Sequence, residues 1–199
     1  RGGGSSSARL TTPLVIVGAI CKQLLQEEGI IIGGNLNQVG NLKLAKFDNE
    51  KINKELLNKL TMMEIPNIDN KEEEIKELVL KTQKDGDSIG GIVEVAAINV
   101  PVGLGEIFFN SLESSIAKLA FSIPGVKGIE FGLGFDFVND FGSNLNDIPY
   151  IKGKDIKFKT NNNGGILGGL SNGACKSTIA LRLLFPLTRT IRQTVGTGM

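Results

Sequence analysis

Two stretches of the sequence could do chemistry through bare backbone rather than through side chains. The first, Asn161 to Gly173 (NNNGGILGGLSNG), places five glycines in thirteen residues. Ile166, Leu167 and Leu170 stand between the glycine doublets, where a flexible linker would carry serine or other polar residues. Glycine pairs spaced by branched apolar residues bring backbone close to another surface while the side chains pin the segment in a core. That surface is either a ligand or another strand. The second stretch is the opening RGGGSSSARLTTP. Thr12 is suited to cap a helix, and Pro13 suits its first turn, where the missing N–H costs nothing. A Gly/Ser loop running into a helix start offers free N–H groups and the positive end of the dipole to a phosphate, and Arg9 adds a fixed charge there.

What is missing narrows the chemistry further. Among 199 residues there are 26 glycines and no histidine. A Ser–His or Cys–His pair and an imidazole metal ligand are therefore excluded, and acid–base work falls to carboxylates, lysine, a cofactor or groups outside this chain. Cys21 and Cys175 lack metal-binding spacing and need not pair, which fits a reducing cytoplasm. With 22 basic and 21 acidic residues the net charge is +1, so no global field favours nucleic acid or a membrane surface. The longest apolar run, Pro13 to Cys21, is far short of the roughly 20 residues that span a bilayer. No secretory signal is read in the sequence. GLGFDF lacks the third glycine of a dinucleotide fingerprint, and Ala174 and Cys175 separate Gly173 from the lysine that a phosphate-binding P-loop needs next.

The elements that must position these loops alternate helix and strand. Thr12–Pro13 opens a helix, LVIVGAICKQLLQEE, that ends at Gly29. Ile30 to Leu44 is strand-like and broken by glycines; a helix with Ile52, Leu56 and Leu60 on one face follows near 49–60. Met62, Met63, Ile65 and Ile68 read as packing residues. Asp69 and Glu72 have capping-box spacing ahead of a helix whose buried stripe is Ile75, Leu78 and Val79 and whose end is Gly86. Ile92 to Val100 alternates as a half-buried strand. Asn110 and Glu113 mark the next helix, with Leu112, Ile116 and Leu119 inward and Pro124 beyond it. SIPGVKGIEFGLGFDF holds a strand between glycines, and 140–160 is a looser polar segment. The expected class is α+β, one domain over 1–199, with glycine-rich segments at 1–13, 87–106, 122–135 and 161–173.

RGGGSSSAR, DSIGG, VPVGLGE, SIPGVKGIEFG and NNNGGILGGLSNG, in this order and spacing, closely resemble chorismate synthase. The resemblance covers most of the chain and least of residues 30–70. It implies a β-α-β sandwich of antiparallel sheets flanked by helices. It also implies a cytoplasmic homotetramer acting as a lyase of the shikimate pathway. The reaction converts 5-enolpyruvylshikimate 3-phosphate to chorismate and phosphate, with reduced FMN as cofactor and no net redox change.

Residue by residue, the resemblance puts Ser5, Ser6 and Ser7 on a flavin-contacting triplet, with Ser5 in place of a larger, usually basic group. Pro124 and Gly125 fall on a flavin-contacting pair and Gly168 on a flavin-contacting glycine; for Gly125 and Gly168, need of the turn itself stands as an equal explanation. Arg9 falls on an arginine that faces an anionic group of the substrate, and Lys127, Asn99 and Asn163 are supporting polar groups. Thr188 and Thr190 match a flavin-phosphate loop, although Pro186 and Leu187 stand where the family carries Lys and Pro, and about three extra residues lie around Ala174 to Ser177. The two histidines of the family fall outside this chain, so no catalytic residue is assigned. Three expectations stay open: the central part of a chorismate synthase, inactive without its ends; a non-catalytic remnant that folds, oligomerises or binds FMN weakly; and an unrelated glycine-rich module.

Overall fold

The structure, a computed structural model, describes residues 8–48, 51–153, 155–173 and 179–186. Helix α1 (Thr12–Glu27) is entered through a 3-10 turn, Ala8–Thr11, that extends it toward the serine loop. Thr12 therefore does not cap it. The turn already continues the helix upstream, and the Thr12 hydroxyl donates back to the Arg9 carbonyl at 2.8 Å. Gly29, at φ +83°, ends the helix as expected.

Strand β1 (Ile31–Val39) turns at Gly40 into the short β2 (Leu42–Lys43). Helix α2 (Lys54–Thr61) is capped by Asn53, whose Oδ1 accepts from the Leu56 N–H at 2.9 Å. Its inward stripe is Ile52, Leu57 and Leu60 rather than Ile52, Leu56 and Leu60, with Leu57 packed onto β1 at Gly33. Met62, expected to pack, is the residue after that helix and is 87% exposed. Helix α3 (Glu72–Lys84) buries Ile75, with Leu78 and Val79 alongside, against Leu36, Val39 and Leu44. Its expected capping box does not form. Asp69 instead accepts from the Ala45 N–H and Glu72 from the Ile65 N–H, each at 2.8 Å, so both carboxylates fasten loops.

Strand β3 (Gly90–Ile98) begins two residues before its expected start. Helix α4 (Leu112–Phe121) is capped by Ser111, one residue after the expected Asn110; the Ser111 hydroxyl accepts from the Ser114 N–H at 3.1 Å. Leu112 and Ile116 point inward, whereas Leu119 is exposed and Ala120 takes the buried place. Strand β4 (Gly128–Phe131) and a short helix, α5 (Gly142–Leu145), follow. The segment read as loose and polar contains a hairpin, β5 (Pro149–Lys152) with β6 (Asp155–Phe158). Asp140, just ahead of α5, accepts from the Asn144 amide and the Phe141 N–H, which together hold its pKa below the ordinary 3.8. The glycine-rich centre is a second hairpin, β7 (Ile166–Leu167) with β8 (Leu170–Ser171), and β9 (Ile179–Pro186) is the last strand among the described residues.

The main sheet runs β2-β1-β3-β9-β4, antiparallel at every pairing. Side-chain alternation along β1 and β3 splits its core in two. Ile31, Ala96 and Ile98 pack with Ile52 and Leu57 of the α2 region. Their neighbours Ile32 and Ala97 join Leu25 of α1, Leu112 and Ile116 of α4, Phe131 and Ile166 on the other side. Gly33 lets α2 sit directly on β1: a Cβ there would lie 2.9 Å from Leu57 Cδ2. Within the sheet the buried Glu94 accepts from the Phe47 N–H and the Asn35 amide, so a carboxylate facing α2 is spent on holding the β2–α2 connection. This is the expected α+β class with antiparallel sheets.

Helix α1 is unusual for its exposure. Leu14, Val15, Ile16, Val17, Ile20 and Leu24 are each between 45% and 66% exposed, and none of its residues is buried. Among the described residues no helix is long and apolar enough to cross a membrane.

The two caps give a first test. Asn53→Ala and Ser111→Ala should each lower the unfolding free energy by about 1 kcal/mol, read from urea midpoints, because each leaves one helix N–H without its acceptor. A loss indistinguishable from zero at either site would mean that its cap is replaced by solvent.

Candidate functional site

Past the end of β3, the loop 101–106 and the β7–β8 hairpin lock together through backbone. Ser171, almost fully buried, donates from its hydroxyl to the Pro101 carbonyl at 2.6 Å and accepts from the Leu104 N–H at 2.9 Å. Its own N–H and carbonyl pair with Leu104 and Gly103. Gly169 closes the contact: its carbonyl accepts from the Leu112 N–H at 2.9 Å, at the first turn of α4. A Cβ at Gly105 would overlap the Gly169 carbonyl oxygen, and one at Gly169 would stand 2.5 Å from the Glu106 carbonyl oxygen. On the far side of the hairpin, a Cβ at Gly132 would overlap the carbonyl of Asn162 and the nitrogen of Gly164. The surface met by this bare backbone is thus largely other backbone.

Gly168 and Gly103 differ. Gly168 is the first of two positive-φ residues in the two-residue turn of the hairpin (φ +63° and +90°), a conformation that glycine adopts without strain. Beyond that turn requirement, nothing lies within 4 Å of where its Cβ would be, and the same is true of Gly103. These two positions present backbone to open space.

Pro124 and Gly125 lie at the other end of α4, about 15 Å of helix away from Gly169. Pro124 is exposed, and Gly125 is half-buried with φ +96°. Sheet register shows what surrounds them. Gly128 pairs with Leu184, and Gly90 and Gly91 pair with Pro186 and Phe185. The DSIGG and PGVKG segments and the end of β9 therefore gather at one end of the sheet's strands, and the VPVGLGE and NNNGGILGG segments at the opposite end. Arg9 is exposed in the 3-10 turn ahead of α1. Ser5, Ser6, Ser7, Thr188 and Thr190 lie outside the described residues.

Of the supporting polar groups, Asn99 is committed to structure: its amide donates to the Gly29 carbonyl at 2.9 Å and ties α1 to the end of β3. Asn163 binds Asp147 through both its backbone and its side chain. Lys127 is exposed. Ser171 and Asp147 were not visible as site-building residues in the sequence. Ser171 is signalled only by its place directly after a glycine hairpin, and Asp147 stands in a loop with no motif around it.

The family profile described as Chorismate synthase matches residues 1–198. The chain belongs to the chorismate synthase family. The chorismate synthase of Methanocaldococcus jannaschii is 40% identical over 201 residues, a match covering 96% of this chain and 52% of the relative. That of Sulfolobus acidocaldarius is 42% identical over 206 residues, covering 97% and 48%. A solved structure entitled Crystal Structure of Chorismate Synthase superposes with a TM-score of 0.78 at 36% identity, over 91% of this chain and 57% of that one. The chain thus spans about half the length of the curated relatives it matches, and it superposes on the solved chorismate synthase across nearly all of its own length.

Proposed function

We propose that this chain builds one part of the active centre of a chorismate synthase, a cytoplasmic, homotetrameric lyase that converts 5-enolpyruvylshikimate 3-phosphate to chorismate and phosphate and depends on reduced FMN. The supporting observation is the gathering of four of the family's glycine-rich segments at the two ends of the strands of one sheet, with side-chain-free backbone open at Gly168 and Gly103. The described residues fit a flavin in two respects. Open glycine backbone admits a flat ring, and Pro124–Gly125 stands shortly before Gly128, which pairs with Leu184 near the end of β9.

When bound, reduced FMN supplies transient electron density to the breaking C–O bond. The chain's own part is to bind and orient, as for cofactor enzymes in general. In this proposal Ser5, Ser6, Ser7, Pro124, Gly125, Gly168, Thr188 and Thr190 hold the cofactor, and Arg9 faces an anionic group of the substrate. Stabilising charge is needed on several sides of the substrate, and among the described residues Arg9 and Lys127 are exposed cations within the family's segments. A second reading is favoured by the apolar surface of α1, uncovered among the described residues, and by Pro186 and Leu187 at the family's Lys and Pro positions: a chain that folds and binds FMN weakly without turning substrate over.

Titration of the 199-residue protein with FMN tests both. Flavin fluorescence should be quenched saturably, and the affinity should rise at least tenfold, about 1.4 kcal/mol, when the phosphorylated substrate is present. Quenching without any response to substrate favours the second reading; a folded protein that never quenches eliminates both. Gly168→Ala sharpens the result. The added methyl meets open space and costs only about 1 kcal/mol for the left-handed backbone, yet it should weaken FMN binding at least tenfold. Unchanged affinity would make Gly168 a turn glycine and nothing more.

A further inference from the structure

Asp147 sits between α5 and β5, fifteen residues before Asn162 in sequence, and all its hydrogen bonds converge on one loop. Its Oδ1 accepts from the Thr160 hydroxyl at 2.6 Å and from the Asn162 N–H at 2.7 Å. Its Oδ2 accepts from the N–H and the side-chain amide of Asn163, both at 2.9 Å. Four donors from residues 160–163 thus close on a single half-buried carboxylate. A second tie runs parallel to it, from the Asn162 amide to the Leu145 carbonyl at 2.9 Å.

The loop so held is a hub. Asn162 passes its carbonyl to the Leu133 N–H at 2.8 Å, in the glycine turn that follows β4. Gly165, three residues on, accepts from the Asn172 N–H at 3.0 Å and so fixes the base of the β7–β8 hairpin. That hairpin carries Gly168 at its tip and clasps the 101–106 loop through Ser171. A displacement at Asn162 is therefore passed to the turn after β4, to the hairpin tip and to the loop after β3.

We propose that Asp147 is the positioning residue of the flavin site: its ionised carboxylate sets the place of the asparagine loop and, through it, of the open backbone at Gly168. The role rests on the flavin reading given above. An ionised carboxylate is required because both oxygens face donors; an asparagine would aim an NH2 group at two of them. Shifts of about 1 Å in a positioned group can cost on the order of a hundredfold in a site's performance, so a loop freed from its anchor should be felt at Gly168 without the core melting.

The test is Asp147→Asn in the 199-residue protein, with FMN as the probe and amide hydrogen exchange as the second readout. FMN affinity should fall at least tenfold. Exchange at Leu133, Asn162 and Asn163 should quicken at least tenfold while exchange along β3 stays at its parental rate. Should Asp147→Asn prove insoluble, Thr160→Val removes one of the four bonds and keeps the side chain's shape; it should weaken FMN roughly threefold. Affinity that either folded variant retains in full overturns the role of Asp147, as does a loss matched by equally faster exchange in β3. A parent protein that never quenches flavin overturns the flavin reading itself, and the role falls with it.

Discussion

Gly132→Ala should unfold this protein more severely than any other single methyl added to its loops. The residue is at φ +59°, where a Cβ is strained, and its missing side chain is replaced by the Asn162 carbonyl and the Gly164 nitrogen. Neither is the movable end of a side chain. Both belong to a backbone that Asp147 and Leu133 hold from two sides. Relief would require the asparagine loop to leave β4, breaking the Leu133 hydrogen bond and loosening the hairpin beyond it. Backbone overlap added to left-handed strain should cost about 4 kcal/mol, in the upper range for point substitutions. Urea denaturation followed by circular dichroism measures this directly. Gly168→Ala is the matched control, with positive φ but open space, and should lose about 1 kcal/mol. Equal losses at the two sites would show that the loop adjusts and that the close approach at Gly132 carries no energetic weight.

The second large effect concerns association rather than folding. Seven consecutive apolar or glycine residues, Leu14 to Ile20, lie on α1 with no buried member. Monomeric proteins rarely leave so continuous an apolar surface in water, and a helix apolar on all sides belongs in an interior. The 199-residue protein should therefore bind hydrophobic dye strongly and sediment as species larger than a monomer at micromolar concentration. Val15→Glu combined with Ile16→Lys should reduce dye binding at least tenfold and shift sedimentation toward monomer. Because both side chains are mostly exposed, the unfolding free energy should change by less than about 0.5 kcal/mol. A monomeric parent with little dye binding would sink this view, as would a large destabilisation by the pair.

The sequence was most informative where one residue type has one physical meaning. Gly29 ended α1, the stripe Ile75, Leu78 and Val79 faced the core, and the glycines of 101–106, 132–134 and 161–173 proved to be turns and clasps. It was least informative where two neighbours could serve equally. Asn110 and Ser111 both cap helices well, and the structure uses Ser111, while the Asn110 amide donates to Glu106. Asp69 and Glu72 had the spacing of a capping box, but unpaired N–H groups at Ala45 and Ile65 competed for them and won. Leu56 and Leu57 differ by one step of helical phase, and the packing of α2 on β1 at Gly33 takes Leu57. The site followed the same division. Local spacing located the glycine loops, whereas nothing local marks Asp147 as the residue fifteen positions upstream that holds one of them.

The order of strands has a consequence for how the chain acquires its shape. β9, the last strand among the described residues, lies inside the sheet between β3 and β4, and it pairs Pro186 with Gly90 across almost half of these 199 residues. During synthesis β3 emerges well before β9 and must wait with one long edge unpaired until the residues through β9 have also left the ribosome. Pairings so distant in sequence form slowly, and a waiting edge invites strands from other nascent chains. Refolding yield should therefore fall steeply with protein concentration. A chain truncated before Ile179 should fail to form the sheet at all, even though it keeps every glycine clasp described above.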